Sequence, residues 1–117
     1  MGVGWYDVLV VKEKEIKELI SDKCMLESEI TTKIMRWLRE QGCVAMKYHG
    51  SVYGVAGHSD VYGVLPDGKA FFIEVKTDKG TVTKGQEQFL MRMADNNAVA
   101  FVARNLDDVR IVMGEFL

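Results

Sequence analysis

Apolar residues recur along this chain in two periods, and the switches between them mark its elements. Over residues 26–41, Leu26, Ile30, Ile34, Trp37 and Leu38 fall on one helical face, and Gly42 supplies a stop. Residues 44–49 alternate instead, with Val44, Met46 and Tyr48 on one face of a strand and Ala45, Lys47 and His49 on the other. Two further apolar runs, one holding Val61, Val64 and Leu65 and one holding Ala70, Phe71, Phe72, Ile73 and Val75, flank Pro66-Asp67-Gly68. Proline presets a turn dihedral and glycine tolerates positive φ, so residues 60–76 predict a β-hairpin. Residues 84–97 return to the helical period behind Thr83 as N-cap and end at Asn96-Asn97. Residues 98–103 form a short, fully apolar strand. A last helix over 105–113 turns Leu106, Val109 and Val112 or Met113 inward.

Before these elements, residues 12–21 carry a narrow stripe of Ile16, Leu19 and Ile20 among charges, which predicts an N-terminal helix. Residues 2–11, with Trp5, Tyr6 and Val8-Leu9-Val10-Val11, fit either a short strand or an apolar arm. A hairpin followed by a helical crossover into a buried strand implies a mixed sheet with helices on its faces, an α/β sandwich. The expected organisation is an N-terminal extension over 1–25 and one domain over 26–117.

Composition narrows the class without choosing a function. The 48% hydrophobic and 27% charged content of the 117 residues is that of a soluble globule with one core. No apolar run approaches a membrane span, and the first residues lack a basic leader with a small-residue cleavage site, which argues for the cytoplasm over secretion. Cys24 and Cys43 are too few for a disulfide framework. A net charge of −2 argues against binding nucleic acid by bulk positive charge, so any such contact is local or metal-mediated.

Three charges interrupt the apolar hairpin: Asp60 at its start, Glu74 and Lys76 at its end. Glu74 and Lys76 share one strand face while Ile73 and Val75 share the other. A three-residue loop of Pro66-Asp67-Gly68 pairs Leu65 with Lys69 and therefore Asp60 with Glu74; a two-residue loop would send the acids to opposite faces.

Glu29, Gly57-His58-Ser59-Asp60, Pro66-Asp67-Gly68, Glu74-Val75-Lys76 and Thr83-Lys84-Gly85-Gln86 follow in this order on a helix, a hairpin and a helix. The combination resembles the VRR-NUC branch of the PD-(D/E)XK, or restriction-endonuclease-like, nuclease superfamily, in the stand-alone form encoded by bacteriophages. The resemblance spans residues 26–107 and leaves the N-terminal segment outside. It implies an αβββαβ core, a homodimer acting on branched DNA such as junctions or flaps, and Mg²⁺ or Mn²⁺ as cofactor, in a host cytosol if phage-encoded.

Phosphodiester hydrolysis needs a positioned water and charge stabilisation around phosphorus, which a hard cation with oxygen ligands supplies. Asp60 and Glu74 are the expected protein ligands, with the Val75 backbone carbonyl a possible third. Lys76 would orient the attacking water or neutralise the transition-state phosphate. By resemblance, Glu29 joins as a second-metal or outer-shell ligand, although an acid in a first helical turn also simply offsets the dipole. Gln86 would position water or Lys76, unless it merely faces solvent. Lys47, by family analogy, and Lys84 are nucleic-acid contacts; His49 reads as a plain surface residue and Asp67 as a turn former.

The remaining constellations are weaker. Cys24, Cys43, His49 and His58 lack the paired short spacings of a zinc site. No nucleotide-binding glycine loop and no serine elbow occurs. Tyr48, Tyr53 and Tyr62 suit either base stacking or core packing. Two functions therefore stand: a metal-dependent, structure-selective DNA endonuclease, or a non-catalytic nucleic-acid-binding or dimerisation module that kept the fold.

Overall fold

A computed structural model describes residues 25–50 and 54–117 of the chain. The expectations for residues 2–11 and 12–21, and for Cys24 and Tyr53, lie outside these residues. The described elements are α1 (Glu27–Glu40), β1 (Val44–Lys47), β2 (Val61–Val64), β3 (Ala70–Val75), α2 (Lys84–Asp95), β4 (Val99–Ala103) and α3 (Leu106–Met113). This is the expected αβββαβ order with one closing helix. No helix among the described residues is long and apolar enough to cross a membrane.

The four strands lie in the order β1-β2-β3-β4, the first two pairings antiparallel and the last parallel. Connecting parallel neighbours requires a crossover, and α2 provides it. The hairpin register is the one the loop length demands. Val61 faces Ile73 and Val64 faces Ala70, while Leu65 N–H donates to the Lys69 carbonyl at 2.8 Å. Asp67 is the expected turn former, its Oδ1 accepting from Lys69 N–H at 3.0 Å.

α1 and α3 pack on one face of the sheet, and α2 packs mainly on β3 and β4 from the other. Phe71, Ile73 and Val75 are wholly buried and build the core with Ile34, Leu38, Val109 and Met113. β4 is buried throughout, as its unbroken apolar run requires. α1 ends in a pair of backbone bonds, Gly42 N–H to the Arg39 carbonyl and Cys43 N–H to the Leu38 carbonyl, both 3.0 Å. Gly42 adopts φ +88° there, a left-handed value that closes the helix without a Cβ penalty.

Two details depart from the periodic reading. Leu26 caps α1 from outside it and is 67% exposed, so Thr31 joins Ile30, Ile34 and Leu38 on the buried stripe. In α2 the buried pair is Phe89 and Leu90, whereas Met91 is exposed. Because α2 stops short of β1, Val44, Met46 and Val64 stay exposed on that sheet face.

Candidate active site

Phe72, Glu74 and Lys76 alternate onto the sheet face that α2 covers, since Phe72 packs edge-on against Phe89 of α2. Asp60 lies one residue before β2, and its backbone carbonyl accepts from Tyr48 N–H at 2.8 Å. Its carboxylate then takes the place of the next ladder bond: Oδ2 accepts from Val75 N–H at 2.9 Å. The N–H and C=O of one strand residue leave on the same side, so the Val75 carbonyl opens toward Asp60. The register thus brings the two expected acids together.

Glu74 is 1% exposed and has three polar neighbours. Gln86 Nε2 donates to its Oε2 at 2.9 Å, and Lys76 Nζ stands 3.5 Å from the same oxygen. Its Oε1 is buried with no hydrogen-bond partner, and the Asp60 carboxylate lies close enough to act on the Glu74 carboxyl. Burial first, then the Asp60 charge and a shared hydrogen bond, push the Glu74 carboxyl up to about 8, against the lowering effect of Lys76. Two acid oxygens in this relation need a proton or a cation between them. An all-oxygen pair with a buried, donor-less oxygen fits a hard divalent ion.

Gln86 is placed by the start of α2. Thr83 Oγ1 accepts from Gln86 N–H at 3.2 Å while Gln86 Oε1 accepts from Thr83 N–H at 3.0 Å, a reciprocal capping box. Its amide oxygen is spent on the cap, which leaves the NH₂ for Glu74. Gln86 is therefore bonded to the acid. The preceding loop presses on this turn: a Cβ on Gly57 would collide with the Gly85 carbonyl, and Gly57 has φ +75°. The close approach that Gly57 permits is made by α2.

Glu29 does not join the acids. It sits at the third position of α1, exposed, and its Oε1 accepts from Leu26 N–H at 3.1 Å. Leucine offers no capping oxygen of its own, so this reach-back satisfies a helix-end donor and fixes the carboxylate there. Among the described residues no three His, Cys, Asp or Glu side chains gather as a metal cage. The expected acid cluster stops at two, and the zinc reading of Cys43, His49 and His58 has no cluster behind it.

His58 is the residue that sequence reasoning undervalued. Its ring stacks on Tyr48 at 3.9 Å between centroids, lies 4.7 Å from Phe89, and meets Tyr62 and Phe72 edge-on. Nδ1–H donates to the Ser59 carbonyl at 2.8 Å, which assigns the proton to that nitrogen because a carbonyl only accepts. His58 thereby pins residues 57–59 to the sheet immediately before Asp60. Tyr62 belongs to this packed aromatic group, half-buried. Lys47 and His49 are exposed, Lys47 lining a groove with Arg36 and Arg39 of α1, and Lys84 is exposed at the start of α2.

No family model matches this chain, and no curated protein matches it. Solved structures do. One described as "VRR_NUC domain protein" superposes with a TM-score of 0.64 at 20% identity, covering 80% of this chain and 89% of its own. Another, "VRR_NUC domain", gives 0.64 at 20% identity over 78% of this chain and 97% of its own. The chain has the fold of VRR-NUC domains, the restriction-endonuclease-like core.

Proposed function

We propose that this protein is a divalent-metal-dependent nuclease that hydrolyses DNA phosphodiester bonds, with Mg²⁺ or Mn²⁺ at Asp60 and Glu74. The observation that carries the reading is the buried Glu74 carboxyl, one oxygen without a donor, paired with the neighbouring Asp60 carboxylate on a fold shared with VRR-NUC domains. A bound ion would withdraw charge from the scissile phosphate and acidify a water. The chain's own groups supply the rest. Asp60 and Glu74 hold the ion, with the Val75 carbonyl on the same side. Gln86 fixes one Glu74 oxygen and so aims the other. Lys76, 14% exposed and 3.5 Å from Glu74, presents its ammonium to a phosphate oxygen or to the attacking water. Lys47 and Lys84, both exposed, would contact phosphates of the bound nucleic acid.

The preferred substrate in this reading is branched DNA, a junction or a flap, engaged by a homodimer. One 13.2 kDa domain is small beside such a junction, and Val44, Met46, Val64 and Val55 offer exposed apolar surface for a second copy. Cleavage of single-stranded, duplex, flap and four-way DNA with Mg²⁺ or Mn²⁺ tests the whole. Glu74→Ala and Lys76→Ala should each lose at least roughly a hundredfold in rate. Unchanged activity in both variants removes this site. A calorimetric titration without divalent-ion binding points to the non-catalytic module instead.

A further inference from the structure

Lys76 is a long side chain, and its ammonium is useful only if its stem is held. Hydrogen bonds behind it form a strut that begins outside the site. Arg104 follows β4 directly, half-buried, and its backbone N–H donates to Asp108 Oδ2 of α3 at 2.8 Å. Its Nη1 reaches the turn that follows Lys76, 2.8 Å from the Thr77 carbonyl, 2.6 Å from that of Gly80 and 3.4 Å from that of Asp78. The turn is closed by Gly80 N–H to the Thr77 carbonyl at 3.1 Å. Its Gly80 lies against the lysine: a Cβ there would stand 3.4 Å from Lys76 Cδ and 3.5 Å from Lys76 Cβ. At the root, Lys76 N–H donates to the Ala103 carbonyl at 3.0 Å, one residue before Arg104.

We infer that Arg104 is a positioning residue for Lys76: its guanidinium gathers the carbonyls of Thr77, Asp78 and Gly80 so that the turn packs on the lysine stem and sets the ammonium beside Glu74. The inference rests on the nuclease reading for its consequence but not for its geometry. All three carbonyls meet at Nη1, which brings a permanent positive charge to them, and a lysine in its place carries its charge on a shorter stem. Arg104 touches neither acid, so its loss leaves the divalent-ion ligands in place.

The test has two arms on the full chain. In the first, acetic anhydride labelling followed by mass spectrometry reads how accessible each lysine amine is. Arg104→Ala should raise the labelling rate of Lys76 severalfold, with Lys47 and Lys84 unchanged, and Arg104→Lys should fall between. In the second, single-turnover cleavage should lose about tenfold in kcat in Arg104→Ala with KM and calorimetric metal affinity within twofold. The same change in a Lys76→Ala background should add nothing, because a residue acting through Lys76 has no effect once Lys76 is gone. Lys76 labelling that stays at the wild-type rate in Arg104→Ala overturns the inference, as does a loss of equal size in both backgrounds. A wild-type protein that cuts no DNA yet shows the labelling change overturns the nuclease reading alone.

Discussion

Gln86 Nε2 stands 2.9 Å from Glu74 Oε2, while the other end of the same amide, Oε1, caps α2 by accepting from Thr83 N–H. One side chain thus ties the start of a helix to a buried acid on the neighbouring strand. Gln86→Ala removes both bonds and should lower stability by about 1–2 kcal/mol, measured by chemical denaturation. Gln86→Glu keeps an acceptor for Thr83 but sets a further carboxylate against Glu74. Its metal-free form should melt below wild type, and a divalent ion should restore more of the difference than it does in Gln86→Ala.

The pH response of the metal-free protein follows from Glu74, whose carboxyl sits at about 8 against an ordinary 4.5. Between those values the folded protein holds a proton that the unfolded chain has released. The associated stability is therefore full below about 4.5 and is lost as pH rises toward 8, a slope opposite to that of a salt-bridged acid. At roughly 1.4 kcal/mol per pKa unit the loss reaches a few kcal/mol. Thermal melts between these limits should show it in wild type and should flatten in Glu74→Gln. Divalent-ion affinity should run the other way, weakening as pH falls below about 8, because the ion displaces that proton.

Loop length is the third lever. The pairing of Asp60 with Glu74 depends on three residues between Leu65 and Lys69. Deleting Asp67 leaves two, and a one-residue slip turns Glu74 away from Asp60 and drives Ile73 out of the core. Calorimetry on this deletion should show no divalent-ion binding, with stability well below that of Asp67→Ala, which loses only the Lys69 N–H contact.

His58 offers a separate check on how Asp60 is held. His58→Phe keeps a ring between Tyr48 and Phe89 and gives up the bond to the Ser59 carbonyl. His58→Ala gives up both. The phenylalanine variant should retain most of the stability, and the alanine variant should lose about 2–4 kcal/mol with weakened metal binding.

The fold was legible where local chemistry decides it. Pro66-Asp67-Gly68 specifies its own turn, that turn specifies the register, and the register puts Asp60 opposite Glu74. Thr83 with Gln86 three residues on is a capping signature in any sequence, and the unbroken run from Val99 to Ala103 has no other place than a buried strand. Glu29 left two readings open in the sequence because its spacing from the hairpin says nothing about where a first-turn acid bonds; the bare N–H of Leu26, three residues back, is the partner it takes. The same displacement of Leu26 rotates the buried stripe to include Thr31 and leaves Glu27, four residues before Thr31, in line with it. His58 and Arg104 gave no sequence signal of their roles. Each acts on a partner brought near only by the assembled sheet, Phe89 in one case and the turn after Lys76 in the other.

The parallel pairing of β3 with β4 has a consequence for how the chain is made. Glu74 sits beside Val102, and Lys76 is anchored to Ala103, both in the strand that follows α2. A ribosome that has released the chain as far as α2 has delivered both acids, the lysine and the glutamine, yet not β4, the strand that closes over them. In that nascent chain Glu74 is an ordinary water-exposed acid. The acid pair is enclosed only once β4 has been made, so the side chains of this site are synthesised before the strand that buries them.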